Sequence, residues 1–191
     1  MVRTAPPAGR DVSAAGEGLA RAPLILTALL PKDLHRWATG LRTTHFPPDR
    51  NFLEAHVTLF HAIPPQCEDE LERLLKRLAG EFAPVDGYLA GLMSLGGGTA
   101  FKLESNGLLR LRDGIAEHFR GMLTGQDQHR PRLHVTIQNK VPSAEAKSLQ
   151  DQLEGTFEPR AIAFRGFGLH RYMGGPWEHI RDFAFRGGEK A

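Results

Sequence analysis

His56-Val57-Thr58-Leu59-Phe60 and His134-Val135-Thr136-Ile137-Gln138 are two copies of one pattern, a His and a Thr interleaved with β-branched and aliphatic residues. Such runs favour strands, in which residues i and i+2 share a face. Val57 and Leu59, like Val135 and Ile137, then form a packing face, and each opposite face sets an imidazole beside a hydroxyl. A strand that only packs has no use for that pair.

Working outward, residues 24–30 read as a buried strand. Pro31 opens a helix with Leu34, Trp37 and Leu41 at helical spacing. After the His56 strand and Pro64-Pro65, residues 68–80 carry Leu71, Leu74, Leu75 and Leu78 on one stripe, and residues 85–95 return as a strand. The second half repeats the order: a strand at 99–103, a helix capped by Asn106 with Leu108, Leu111, Ile115, Phe119 and Met122 inward, then the His134 strand. Ser143 caps a further helix with Ala146, Leu149 and Leu153 inward, and residues 160–171 and 177–186 form two strands joined through Gly174-Gly175-Pro176.

The motif histidines stand 78 residues apart, and the helix near 67 maps with that offset near 145. Element order thus points to an internal duplication, although identity outside the motifs is low. Residues 22–191 form a single domain with lobes of about 22–95 and 98–191, strands open to exchange between them, and Gly96-Gly97-Gly98 as the hinge. If a pseudo-two-fold axis relates the lobes, two imidazoles and two hydroxyls converge on one cleft.

Composition narrows the classes. The chain has 191 residues, enough to bury roughly 70% of the unfolded surface without staples. A single cysteine, Cys67, rules out an internal disulfide framework, and a reducing, cytoplasmic setting is expected. Residues 1–21, rich in Ala, Pro and Gly with scattered Arg, read as a disordered tail. No apolar run is long enough for a membrane span, and no signal-peptide layout precedes the first strand. A net charge of +2 with nine histidines permits an anionic substrate without demanding one. No metal or cofactor is expected: His-x-Thr is not a metal-ligand spacing, and no helical His pair at i, i+4 has a third ligand.

Two imidazoles near a pKa of about 6.5 can work as base and acid at neutral pH, while two threonine hydroxyls donate to phosphoryl oxygens. Attack at phosphorus needs a base, an acid and donors for the growing charge. A neighbouring ribose hydroxyl or a 2′,3′-cyclic phosphate suits such a site.

With these paired motifs, the chain resembles the 2H phosphoesterase superfamily, in its bacterial 2′-5′ RNA ligase and cyclic phosphodiesterase-like branch. The resemblance covers roughly residues 23–186. It implies an α+β, bilobal duplicated fold, with two antiparallel-rich sheets lining a central cleft and helices outside. It further implies a metal-independent phosphoesterase hydrolysing or transesterifying a 2′,3′-cyclic phosphate or 2′-5′-linked RNA or nucleotide. Carried over, His56 and His134 are the acid/base pair, and Thr58 and Thr136 hold the phosphate. By analogy His134 activates the nucleophile and His56 protonates the leaving oxygen, an order that reversal of the reaction exchanges. The alternative is a non-catalytic nucleotide- or RNA-binding module of the same fold. A monomer is expected, with an RNA or nucleotide phosphoester as its partner.

Other residues carry two readings each. Gln138 shares the His134 face by parity and is a candidate substrate contact, and Lys140 stands as the nearest cation after the second motif, where many members of the superfamily place a basic residue. Phe60 is a base-stacking ring or a packing ring. Tyr172 and Trp177 stack on a base at the cleft mouth or staple their hairpin to the core. His61 is a rim residue, and His129, Arg130 and Arg132 form either a basic lip or a solvated loop.

Overall fold

The structure is a computed structural model that describes residues 22–191, so the expected tail at 1–21 lies outside the described residues. The elements are β1 (Leu24–Ala28), α1 (Lys32–His45), β2 (Val57–Ile63), α2 (Glu68–Glu81), β3 (Val85–Ser94) and β4 (Gly98–Glu104). They continue with α3 (Asn106–His118), β5 (His134–Asn139), α4 (Ser143–Glu154), β6 (Arg160–Phe164), β7 (Gly166–Tyr172) and β8 (Trp177–Ala184). The strands make two four-stranded antiparallel sheets, ordered β2-β1-β7-β8 and β5-β4-β3-β6. This is the α+β, two-sheet architecture expected.

The helices follow their apolar stripes. In α2, Leu71, Leu74, Leu75 and Ala79 are buried, while Glu68, Asp69 and Glu70 oppose the positive end of the helix dipole. In α1 the buried positions are Leu34, Ala38 and Arg42, and Trp37 stacks on Phe101 of β4 at 4.5 Å. That helix therefore packs against the second sheet. Ser105, not Asn106, caps α3: its Oγ accepts from the Leu108 N–H at 3.1 Å and donates to the Asp86 carbonyl. Met122 is exposed rather than inward, and Pro142 rather than Ser143 occupies the cap position of α4.

Two turns revise the expected organisation. The Leu95 N–H donates to the Gly98 carbonyl at 2.9 Å, so the glycine run closes the β3–β4 hairpin within one sheet and is not a hinge. The expected strand over 160–171 breaks at Arg165, just before Gly166, whose φ of 152° admits no side chain, because a Cβ there would meet the Phe183 carbonyl. The chain then leaves the second sheet as β6 and enters the first as β7. Strands thus cross reciprocally: β3 follows α2 yet pairs with β4, and β7 follows α4 and β6 yet pairs with β1. One contiguous core runs from Leu24 through Phe101 to Phe185, joining both sheets.

Each motif strand lies at an edge of its sheet, and both carry the same irregularity. Leu26 pairs with Phe60 and Thr27 with Thr58, which leaves Leu59 as the extra residue. Ala100 pairs with Thr136 and Thr99 with Gln138, which leaves Ile137 extra. The bulges fall at equivalent positions and reset the alternation of sides after each Thr.

Candidate active site

The edge strands β2 and β5 approach each other, and between them lies a cavity of about 450 Å³. Its lining includes His56, Thr58, His134 and Thr136, so the four motif side chains share one space. His134 begins β5, and His56 stands one residue before β2. All four are partly exposed, while their strand neighbours Val57, Leu59, Val135 and Ile137 are buried.

The rings are held alike. His56 Nδ1–H donates to the Glu54 carbonyl at 2.8 Å, and His134 Nδ1–H donates to the Arg132 carbonyl at 2.7 Å. A carbonyl oxygen only accepts, so the proton of each neutral ring sits on Nδ1 and leaves Nε2 as the basic nitrogen. Backbone alone sets both tautomers.

The surroundings of His56 are less symmetrical. Burial pushes its pKa down to about 4; the bond to Glu54 opposes this, and the positive charges of Arg42, His170 and His134 reinforce it. The Trp177 ring lies 4.6 Å from the His56 ring and 5.5 Å from that of His170. His170 Nε2–H donates to Thr27 Oγ1 at 3.1 Å, and that hydroxyl donates to the Gly168 carbonyl. Burial, with His179 nearby, also lowers the His170 pKa. Behind His56 a second cavity of about 410 Å³ is walled by Phe52, Trp177, His170 and His35.

Two buried arginines brace the site. Arg42 donates from Nε to the Leu53 carbonyl at 3.0 Å, from one terminal nitrogen to the Thr136 carbonyl at 2.8 Å, and from the other to Asn51 Oδ1 at 3.1 Å. It thereby ties the second motif to the segment leading into the first. Arg112 lies over the Phe60 ring at 4.4 Å and donates to the Asp127 carbonyl. The Asp127 carboxylate, itself buried, accepts from the backbone N–H of His61 and Ala62 and from His61 Nδ1–H at 3.2 Å.

Among the other sequence candidates, Trp177 reaches the site. Phe60 is fully buried and packs under Arg112, which excludes it as a substrate contact. Gln138 is buried too, bonded to Glu145 and Thr99. Both fall on the inner side because the bulges invert the parity that placed them at the cavity. Lys140 is an exposed turn residue with φ of 62° outside the cavity lining, and Tyr172, exposed and paired with Trp177 across the β7–β8 hairpin, is not in that lining either. His61, read as a rim residue, lines the cavity, as do His129, Arg130 and Arg132. Sequence reasoning missed Arg42 and Asp127, which no motif announces. Among the described residues, no group of three or more His, Cys, Asp or Glu is placed to hold a metal, and no helix is long and apolar enough to cross a membrane.

The 2′-5′ RNA ligase superfamily model matches residues 30–176, which span both motifs and most of the two sheets. The chain belongs to the 2′-5′ RNA ligase superfamily. Its fold is similar to that of TT0787 of Thermus thermophilus, with a TM-score of 0.62 at 21% identity, covering 87% of this chain and 100% of that one. It also resembles E. coli LigT complexed with 3′-AMP, and a structure described as a phosphoesterase. Each of these has a TM-score of 0.53 at 18% identity, covering 86% of this chain and 98% of the other. These likenesses concern the fold. No curated protein sequence matches.

Proposed function

We propose that this member of the superfamily is a metal-independent phosphoesterase that opens a 2′,3′-cyclic phosphate or cleaves a 2′-5′-linked RNA or nucleotide. The observation that carries the reading is the shared cavity: His56, Thr58, His134 and Thr136 line one space, with both rings oriented through the same Nδ1–carbonyl bond. That arrangement supplies a base, an acid and two donors for a single phosphate.

In hydrolysis of a cyclic phosphate, Nε2 of neutral His56 takes a proton from water as the water oxygen bonds to phosphorus. The hydroxyls of Thr58 and Thr136 donate to the non-bridging oxygens as charge builds there. Protonated His134 gives its Nε2 proton to the ribose oxygen as the P–O bond breaks. The atoms balance: one water is consumed, one ring gains the proton the other loses, and solvent exchange resets both. The low His56 pKa favours its entry as the base, the reverse of the order given by analogy. Trp177, packed on His56 beside the second cavity, is the ring we assign to stack on a nucleobase, a role its contact with His56 supports.

Turnover of a nucleoside 2′,3′-cyclic phosphate and of a 2′-5′ dinucleotide, measured in EDTA, tests the reading. Hydrolysis of at least one is expected. Wild-type protein that binds these compounds yet leaves the whole panel intact would instead make it a binding module.

A further inference from the structure

The four motif side chains account for one phosphate, yet the same cavity holds more cationic capacity. His61, His129, Arg130 and Arg132 all line it. Arg130 is committed to Asp113. Arg132 is exposed, its backbone carbonyl holds His134 Nδ1, and the residue lines this cavity as well as the neighbouring one beside Lys102 and Glu104. In this extended segment Leu133 and Val135 are buried, so Arg132, His134 and Thr136 share one face at i, i+2 spacing, about 7 Å apart.

His61 supplies the matching group on β2. The bulge that turns Phe60 inward turns His61 to the cavity, where the ring is about half exposed. Its Nδ1–H donates to Asp127, which fixes the ring and leaves Nε2 as the nitrogen turned to the cavity. Asp127 does not repel an anion strongly, because its two oxygens already face the N–H groups of His61 and Ala62, which hold its pKa below the ordinary value against burial. The same bonds tie the segment leading to Arg132, five residues on, to the end of β2 that carries His61. His61 and Arg132 are thus linked through the Asp127 segment on the wall of one cavity, while Trp177 packs on His56.

We propose that His61, fixed by Asp127, and Arg132 form a second anion subsite that takes the phosphate adjacent to the reacting one. This rests on the phosphoesterase reading and narrows its substrate class to molecules with at least two phosphates. Two sources share that chemistry, a terminal 5′-phosphate on the same nucleoside and the next internucleotide phosphate of an oligonucleotide.

Calorimetric binding in EDTA distinguishes them. Wild type, Arg132→Gln and His61→Gln are titrated with a nucleoside 3′-monophosphate, a nucleoside 3′,5′-bisphosphate and a dinucleotide ending in a 3′-phosphate. A two-phosphate ligand is expected to bind wild type about tenfold tighter than the monophosphate, the worth of one charge-assisted bond. The preference is expected to fall below about twofold in each variant and to shrink with added salt. Preference for only one of the two-phosphate ligands identifies the source. Equal binding of all three ligands, or a preference that survives both substitutions, overturns the subsite. If cyclic phosphates are still turned over in that case, the phosphoesterase reading stands; if wild type neither binds the monophosphate nor turns over any cyclic phosphate, both fall. Arg132 lies at the surface, so its variant remains informative if His61→Gln is poorly folded.

Discussion

His56 should make the protein lose stability as the solution is acidified from neutral pH. Its ordinary pKa is 6.5, and burial holds it at about 4 in the folded chain. Between those values the unfolded chain binds a proton that the folded ring refuses, so the free energy of unfolding falls as pH drops through that window. At about 1.36 kcal/mol for each tenfold change in proton affinity, the full difference corresponds to about 3 kcal/mol. Because the ring remains partly open to solvent, about 2 kcal/mol is the expected observable. The perturbation is His56→Asn, which removes the titration and keeps a polar side chain of similar reach. The assay is urea unfolding at intervals from about pH 7.5 to about pH 4, followed by tryptophan fluorescence. His170 is depressed in the same sense but is present in both proteins, so the difference between the two stability curves isolates His56. Wild type should lose about 2 kcal/mol more than the variant across the window. Parallel curves would refute the claim that the folded chain keeps His56 neutral, and with it the argument for this ring as the base.

Other outcomes follow from the same geometry. Arg42→Met removes donors to the Leu53 and Thr136 carbonyls, and leaving such groups unsatisfied should cost about 2–5 kcal/mol in urea unfolding. Thr136→Val and Thr58→Val keep the strand shape but each lose one donor, so kcat should fall about 10²-fold or more with modest change in fold stability by thermal melting. Phe60→Leu should act on stability, by about 1 kcal/mol or more through lost packing under Arg112, while kcat/KM for the folded fraction stays near wild type. The acid limb of the kcat/KM profile should report a group at about 4, the base on His56 in the free protein.

Period-2 patterning made the motif strands and their inner faces legible in the sequence, because Val57, Leu59, Val135 and Ile137 alternate with the polar pair. Helical stripes likewise place α2 to within a residue and fix the start of α3, while the stripe carried on to Met122 overruns the end of α3 at His118. What periodicity could not carry was any break in its own rule. A bulge adds one residue without changing composition, so parity puts Gln138 on the wrong side, leaves the stacking and packing readings of Phe60 both open where the structure shows packing, and undervalues His61. The sequence leaves open an exchange of strands between the lobes without saying which strands exchange: β3 is a good strand in either sheet, and only its long-range partners β4 and β6 assign it. Gly166, which opens the redirected strand, reads in sequence as one of two glycines after Arg165 in a stretch otherwise rich in Ala, Ile, Phe and Leu. Arg42 and Asp127 are charged residues in ordinary polar contexts, and their burial depends on carbonyls and amides that tertiary structure brings to them.

Whether His56 and His134 act as one acid/base unit on one phosphate is tested most directly by steady-state hydrolysis of a nucleoside 2′,3′-cyclic phosphate in EDTA. Wild type, His56→Ala, His134→Ala and the double variant are compared. Each single substitution should lower kcat/KM by about 10²–10⁴-fold, with the double variant little worse than either single one. A single variant that retains the wild-type rate, or losses that multiply independently in the double variant, would contradict it.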